Sequence, residues 1–428
     1  MSSAAFAVVA ELACVFVVAT ALGWLCRRLV GIPVLGELVG GALLGPTLVG
    51  DRDPAVVRWF SGAHAGPTSV FALVGTLAAT LLVGVTALEL NLRAVRRDRH
   101  AVVRIAVAAL AVPGLLGIVA ALALPAAVRG HPSHEAGFVV FVGVALGVSA
   151  LPVAAITLKQ LGLFRRRIGR LILSAAAIDD VVGWLLLAVL TAVVARAGAT
   201  ALPVTLLGVV VLILVPVIGR RPTTALLARV VERPPGWSIL VALVAIAVPA
   251  LIAKYSGVEL PIGAMAGGVL LSLCPDLPAP ARRLLARVAT GICGPLFLGI
   301  AGMHLDARVF REPVVLVSGV VLLLLAGAGK VVGGYVGARS AGVNRRTALA
   351  TGAGLNARGM VEILIASIGL KAGLLTEAMY SILVGIAVLT SVITPILLRL
   401  ILPDEVVVQT TDVEPEPRAD AGSVTHAG

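Results

Sequence analysis

Apolar runs of about 18 residues or more, free of charge, recur from end to end of this chain, and each can cross roughly 30 Å of hydrocarbon. No other feature restricts the fold so strongly. Lipid offers no partner to an unpaired backbone amide or carbonyl, so such segments must satisfy their hydrogen bonds internally, as helices. The alternative, a closed barrel, needs strands of alternating polarity, and that alternation is absent. Composition agrees. The 428 residues are 59% hydrophobic and 13% charged, with a mean hydropathy of +1.07, whereas a soluble domain carries about 25% charged residues. The sequence therefore describes an all-α polytopic membrane protein.

Thirteen hydrophobic segments are predicted, near 5–26, 33–49, 69–92, 101–128, 136–158, 169–195, 201–219, 237–254, 259–275, 285–304, 313–338, 346–370 and 376–402. The first is too long for a signal-peptide core, lacks a small-residue cleavage site and is followed by Arg27–Arg28, so it reads as a membrane helix. Residues 1–402 are expected to form the membrane domain. Residues 403–428 are polar and acidic with Pro and Gly, the composition of a disordered tail.

Orientation follows from Lys and Arg. Of 34 such residues, 24 lie in the loops after odd-numbered segments and at the C-terminal end, eight lie after even-numbered segments, and Lys330 and Arg358 lie within segments. This places the N-terminus outside and the C-terminus in the cytoplasm. The same bias accounts for the net charge of +12, so no nucleic-acid partner is implied. Cys14, Cys26, Cys274 and Cys293 have no CxxC spacing and read as small buried residues.

The chain also echoes itself. Gly36-Glu-Leu-Val-Gly-Gly-Ala-Leu-Leu44 matches Gly263-Ala-Met-Ala-Gly-Gly-Val-Leu-Leu271, and Ala87–Arg93 matches Gly302–Arg308. The matched segments are seven apart, so the copies cross the membrane in opposite senses. That is an inverted repeat, six helices plus six around a linking seventh, as in secondary transporters. Chance likeness of small-residue packing faces is the alternative.

An ionisable group within a bilayer is costly and marks a candidate site. Glu11, Glu37 and Glu89 fall near segment ends; Asp179, Asp180, Lys330, Arg358 and Glu362 fall inside. Asp179–Asp180 lies about ten residues into the sixth segment, about 15 Å deep and near the midplane. Two adjacent carboxylates in a poorly solvated site cannot both stay ionised without a cation. One site that holds either a proton or a hard monovalent cation, never both, is what proton-coupled exchange requires. The alternative is a pair neutralised by basic partners only to join helices. Lys330, among Gly327, Gly329, Gly333 and Gly334, needs a partner, and the aspartates are the obvious one; otherwise its ammonium snorkels to the headgroups. Arg358 and Glu362, spaced i,i+4, can pair with each other for structural or functional ends. Two segments look interrupted: the fifth at Gly147–Pro152, where proline removes a donor, and the twelfth in the glycine-rich 352–359. Paired interruptions in corresponding positions point to a transport site.

No P-loop, metal-ligand histidine spacing or nucleophile–base constellation is present, so neither an enzyme nor a cofactor is expected and an ion gradient must drive transport. With 4% aromatics, an organic-cation exporter is less favoured than a cation exchanger; a channel-like pathway on the same scaffold is the other alternative.

At these residues the sequence resembles the monovalent cation:proton antiporter family with a sodium/hydrogen exchanger membrane domain, over roughly 5–402. The resemblance rests on Gly36–Pro46, Ser149-Ala-Leu-Pro-Val153, Leu173–Asp180, Gly302–Asp306, Gly329–Lys330, Ala357–Ile363 and Thr394–Pro395. It implies a bacterial inner-membrane homodimer, with a core of two crossed, half-unwound helices and a dimerisation subdomain. It implies that Asp180 carries Na⁺ or K⁺ and protons beside Asp179, with Lys330 as salt-bridge partner, Arg358 and Glu362 as supporting charges, and breaks at Ser149–Pro152 and Asn356–Gly359. Asp-Asp members with the lysine resemble electrogenic exchangers; Asn-Asp members resemble electroneutral ones. Two departures stand out: Asn91 replaces an expected acid, and Ser149 stands where threonine is commoner. The nucleotide-binding module of many relatives is not seen, so its regulation is not expected.

Overall fold

A computed structural model describes residues 3–29, 33–45, 70–88, 98–129, 135–164, 166–194, 201–230, 234–274 and 276–402. Among them all regular structure is helical. The chain folds into α1 (Ser3–Leu29), α2 (Pro33–Leu44), α3 (Val70–Leu88), α4 (Arg99–Ala123), α5 (Glu135–Gly147), α6 (Leu151–Gln160), α7 (Arg167–Val194), α8 (Ala201–Ile218) and α9 (Arg220–Val230). It continues as α10 (Pro235–Tyr255), α11 (Leu260–Ser272), α12 (Ala279–Val288), α13 (Gly294–Met303), α14 (Pro313–Ser340), α15 (Arg345–Leu355), α16 (Met360–Lys371) and α17 (Glu377–Ile401).

Each of the thirteen expected segments holds a helix, but not always a whole one. Eight helices among the described residues are long and apolar enough to cross a membrane, and a ninth crossing forms if α8 and α9, bent by 48°, act together. α2 and α11 are short, and the fifth and twelfth segments are split as α5/α6 and α15/α16. The tenth segment starts earlier than expected and runs through a π turn at Ala289–Cys293. Glu89, Asn91 and the tail 403–428 lie outside the described residues, as do Pro46 and parts of several basic loops.

The helices sort into two bundles. α1, α2, α3 and α8–α13 pack on one another, as do α4–α7 and α14–α17. The bundles meet where α7 touches α8 and α11 and where α13 touches α16. Their outer faces carry exposed apolar stripes, such as Val103, Val107, Leu115, Val119 and Leu122 on α4. In water such stripes would drive aggregation; in lipid they are the solvated surface.

The repeat read from sequence reappears in the packing of the first bundle. Gly41 of α2 lies against Gly299 of α13, and Gly268 of α11 lies against Gly84 of α3. The two glycine-to-backbone contacts exchange partners, as an inverted pair of copies would. A Cβ at Gly41 would stand 1.9 Å from the Gly299 carbonyl oxygen, and one at Gly268 2.0 Å from that of Gly84. Backbone cannot yield as a side chain can, so Gly41→Val or Gly268→Val is expected to cost about 3 kcal/mol or more. Thermal unfolding of detergent-solubilised protein measures it, with Gly236→Ala, which meets nothing within 4 Å, as the neutral control. The second matched stretch, Gly302–Arg308, ends in a 3₁₀ turn that Asp306 caps by accepting from the Arg308 amide at 2.9 Å. The Arg308 guanidinium holds the Asp306 carboxyl below the usual carboxylate range.

Candidate functional site

The two helix breaks meet. α5 ends at Gly147, the chain leaves the helix over residues 148–150 with Ala150 extended, and α6 restarts at Leu151 with Pro152 in its first turn. Proline belongs there, because the first turn of a helix has no use for its amide hydrogen. It starts the second half rather than breaking a continuous helix. In the other copy α15 ends at Leu355, with Asn356 as its cap, and α16 restarts at Met360 after Gly359. The Ala150 amide donates to the Ala357 carbonyl at 3.0 Å, so the two breaks cross in direct contact.

Broken helices leave carbonyls without partners, and burying those is costly. Two cations supply the donors. Arg358, 0% exposed, donates from Nη1 to the Ala145 carbonyl at 3.0 Å and to Glu362 Oε1 at 2.8 Å, and from Nη2 to the Leu146 carbonyl. Lys330, also 0% exposed, donates from Nζ to the Gly147 carbonyl and to Asp179 Oδ2 at 2.7 Å. The end of α5 is thus capped by side chains from the opposite half of the chain. α14 reaches this depth because it packs tightly on α4, with Gly333 against Ala108 and Gly337 against Arg104.

The two aspartates sit differently. Asp179 is 1% exposed, and its Oδ2 accepts from both Lys330 and Ser149 Oγ, the latter at 2.7 Å. Asp180 is turned toward the first bundle. It accepts from the Leu151 amide at the start of α6, and its Oδ1 has no hydrogen-bond partner among the described residues. It borders a narrow cleft of about 30 Å³ between the bundles, lined by Leu82, Thr86, Trp184, Met265, Phe297 and Leu364 among others. Apart from Thr86 the wall opposite is apolar.

The structure therefore gathers Asp179, Asp180, Lys330, Arg358, Glu362, Ser149, Asn356 and Gly359 at one crossing, with Pro152 in the first turn of α6. Glu37 lies elsewhere, on α2 over Gly23, and Glu11 is buried in α1. Sequence reasoning named Ser149 and Arg358 but not all of their contacts, and it missed Ser391. Ser149 serves Asp179 directly, Ser391 of α17 donates to the Arg358 carbonyl, and Arg358 caps α5 besides pairing with Glu362. Arg358 lies in the break itself, within the interruption expected at 352–359, so its pair with Glu362 joins the break to α16 and is not a turn of one continuous helix.

Similarities to known proteins are extensive. The family model described as sodium/hydrogen exchanger, transmembrane, matches residues 15–403. The Na⁺/H⁺ antiporter NhaS4 of Synechocystis is 28% identical over 401 residues, covering 92% of this chain and 97% of that protein. The cation/H⁺ antiporter 19 of Arabidopsis thaliana is 27% identical over 403 residues, and the chain spans about half of it, 49%. Among solved structures, the sodium proton antiporter MjNhaP1 of Methanocaldococcus jannaschii superposes with a TM-score of 0.59 over 92% of this chain and 96% of that one, at 13% identity.

Proposed function

The chain belongs to the sodium/hydrogen exchanger family, and from that premise we propose that it exchanges a monovalent cation, Na⁺ or K⁺, for protons by alternating access, with Asp180 as the carrier. One observation supports this above the others. The ionisable groups at the crossing are three acids (Asp179, Asp180 and Glu362) and two bases (Lys330 and Arg358). Fully ionised, they sum to one negative charge. An uncompensated charge in a low-dielectric site costs several kcal/mol, and a proton or a monovalent cation on Asp180 cancels it equally well. The two ligands therefore compete for one vacancy, which is the coupling an exchanger needs. Asp180 holds that vacancy because Asp179 and Glu362 already have cationic partners at 2.7 and 2.8 Å.

In this reading the second bundle, carrying the crossing, moves against the first, which forms the dimer contact. Thirteen crossings place the N-terminus outside and the tail inside a bacterial inner membrane. The cation is Na⁺, in keeping with the name of the Synechocystis relative, or K⁺. A cation panel on reconstituted protein, with and without a clamped membrane potential, tests exchange, ion identity and electrogenicity together. Cation flux that persists without any proton movement would favour a channel instead.

Lys330 supplies the second test. Lys330→Ala removes one of the two buried positive charges, so the charge moved per cycle is expected to change. Reconstituted Lys330→Ala should show an altered pH profile and an altered dependence of its rate on membrane potential. Wild-type behaviour in both would make Lys330 purely a cap for Gly147.

A further inference from the structure

Away from the crossing, α14 and the start of α15 form an open recess of about 430 Å³ on the lipid-facing surface, lined by Val331, Val332, Tyr335, Arg345, Arg346 and Leu349. Its two ends differ in chemistry. The mid-helix end is apolar, with Val332 50% and Leu349 40% exposed. The other end carries two adjacent guanidiniums in the first turn of α15, where the helix N-terminus adds its own positive field. That rim is held in place. Arg346 Nε donates to the Ile401 carbonyl at 2.9 Å, and the Asn344 side chain accepts from the Thr347 amide at 2.8 Å.

A soluble phosphate would meet only the rim, and a neutral acyl chain only the apolar end. A molecule with a negative headgroup and a hydrocarbon tail meets both at once. Basic recesses at the ends of membrane helices suit anionic lipid headgroups. We propose that this recess is a binding site for one anionic phospholipid, its phosphate against Arg345 and Arg346 and an acyl chain along Val331, Val332 and Leu349. The site lies back to back with the transport crossing. Val331 follows Lys330 on α14, its carbonyl packs on Gly352 of α15, and α15 leads straight into the break at Asn356. A lipid seated there clamps together the helices that position Lys330 and Arg358.

The test uses the full chain in neutral detergent, with melting temperature followed against added phosphatidylglycerol, phosphatidylcholine or glycerol phosphate. Phosphatidylglycerol is expected to raise Tm saturably, and the other two are not. Arg345→Gln should shift half-saturation by about fivefold, the weight of one basic residue at an anionic surface. Val332→Trp or Leu349→Trp, each at an exposed position, should fill the apolar end and abolish the saturable rise with both arginines retained. Arg229→Gln, an exposed cation elsewhere on the same predicted side, should leave the curve unchanged. An equal rise with phosphatidylcholine or glycerol phosphate overturns the proposal. So does a wild-type curve in Arg345→Gln and the tryptophan variants, or an equal loss in Arg229→Gln.

Discussion

Asp180→Asn is expected to reduce cation-dependent proton exchange in everted vesicles to the background of empty vesicles, while yield and melting temperature stay at or above wild type. The substitution keeps the shape of the side chain and its hydrogen bond from the Leu151 amide. It removes the group that can be charged. The crossing, which carries one excess negative charge in the wild type, becomes permanently neutral, as it is when a proton or cation is bound. A buried charge left without a partner is costly, so its removal costs the fold nothing, whereas the site can no longer release one ligand to accept the other. Full exchange by this variant would sink the assignment of Asp180 as carrier.

Arg358→Ala should act on the fold instead. Its guanidinium is wholly buried, caps the Ala145 and Leu146 carbonyls and pairs with Glu362. Alanine strands two carbonyls and a carboxylate in the interior. Breaking one side of a buried pair costs about 3–5 kcal/mol, against a typical stability of about 5–15 kcal/mol. Size-exclusion profiles after detergent extraction should show most of the folded peak lost. Arg358→Lys should recover only part of it, because one ammonium cannot reproduce a planar fork. Arg358→Met combined with Glu362→Gln should be milder than Arg358→Ala, since no charge is then left alone. A wild-type peak for Arg358→Ala would show that water or another donor serves the end of α5.

These two residues also show which parts of the site can be read from sequence. A charged side chain in an apolar segment is conspicuous in one dimension, and a buried cation must find an anion. The Asp179–Lys330 pair could therefore be anticipated across 151 positions. Ser391, the bond from Ser149 to Asp179 and the carbonyls of α5 could not. Hydroxyls are ordinary in membrane helices, and a carbonyl carries no sequence signal, so the bond from Arg358 to Ala145 is visible only once the crossing is built. The break in the fifth segment was legible from Pro152 for an incomplete reason. Proline marks where the second half begins, while the first half stops at Gly147 because Lys330 and Arg358 cap it there. The helix α9 went unanticipated because Arg220–Val230 is amphipathic and basic, and reads equally well as a loop.

The caps on α5 have a consequence for how the chain is made. Gly147 and its donor Lys330 are 183 residues apart, and Ala145 and Arg358 are 213 apart. At roughly 5–20 residues per second, α5 leaves the ribosome about 10–40 s before either donor exists. Until then its last carbonyls need water or a chaperoning insertase beside them. The first six segments should thus remain an open, protease-sensitive intermediate, and the membrane domain should lock only after the eleventh and twelfth segments have been synthesised.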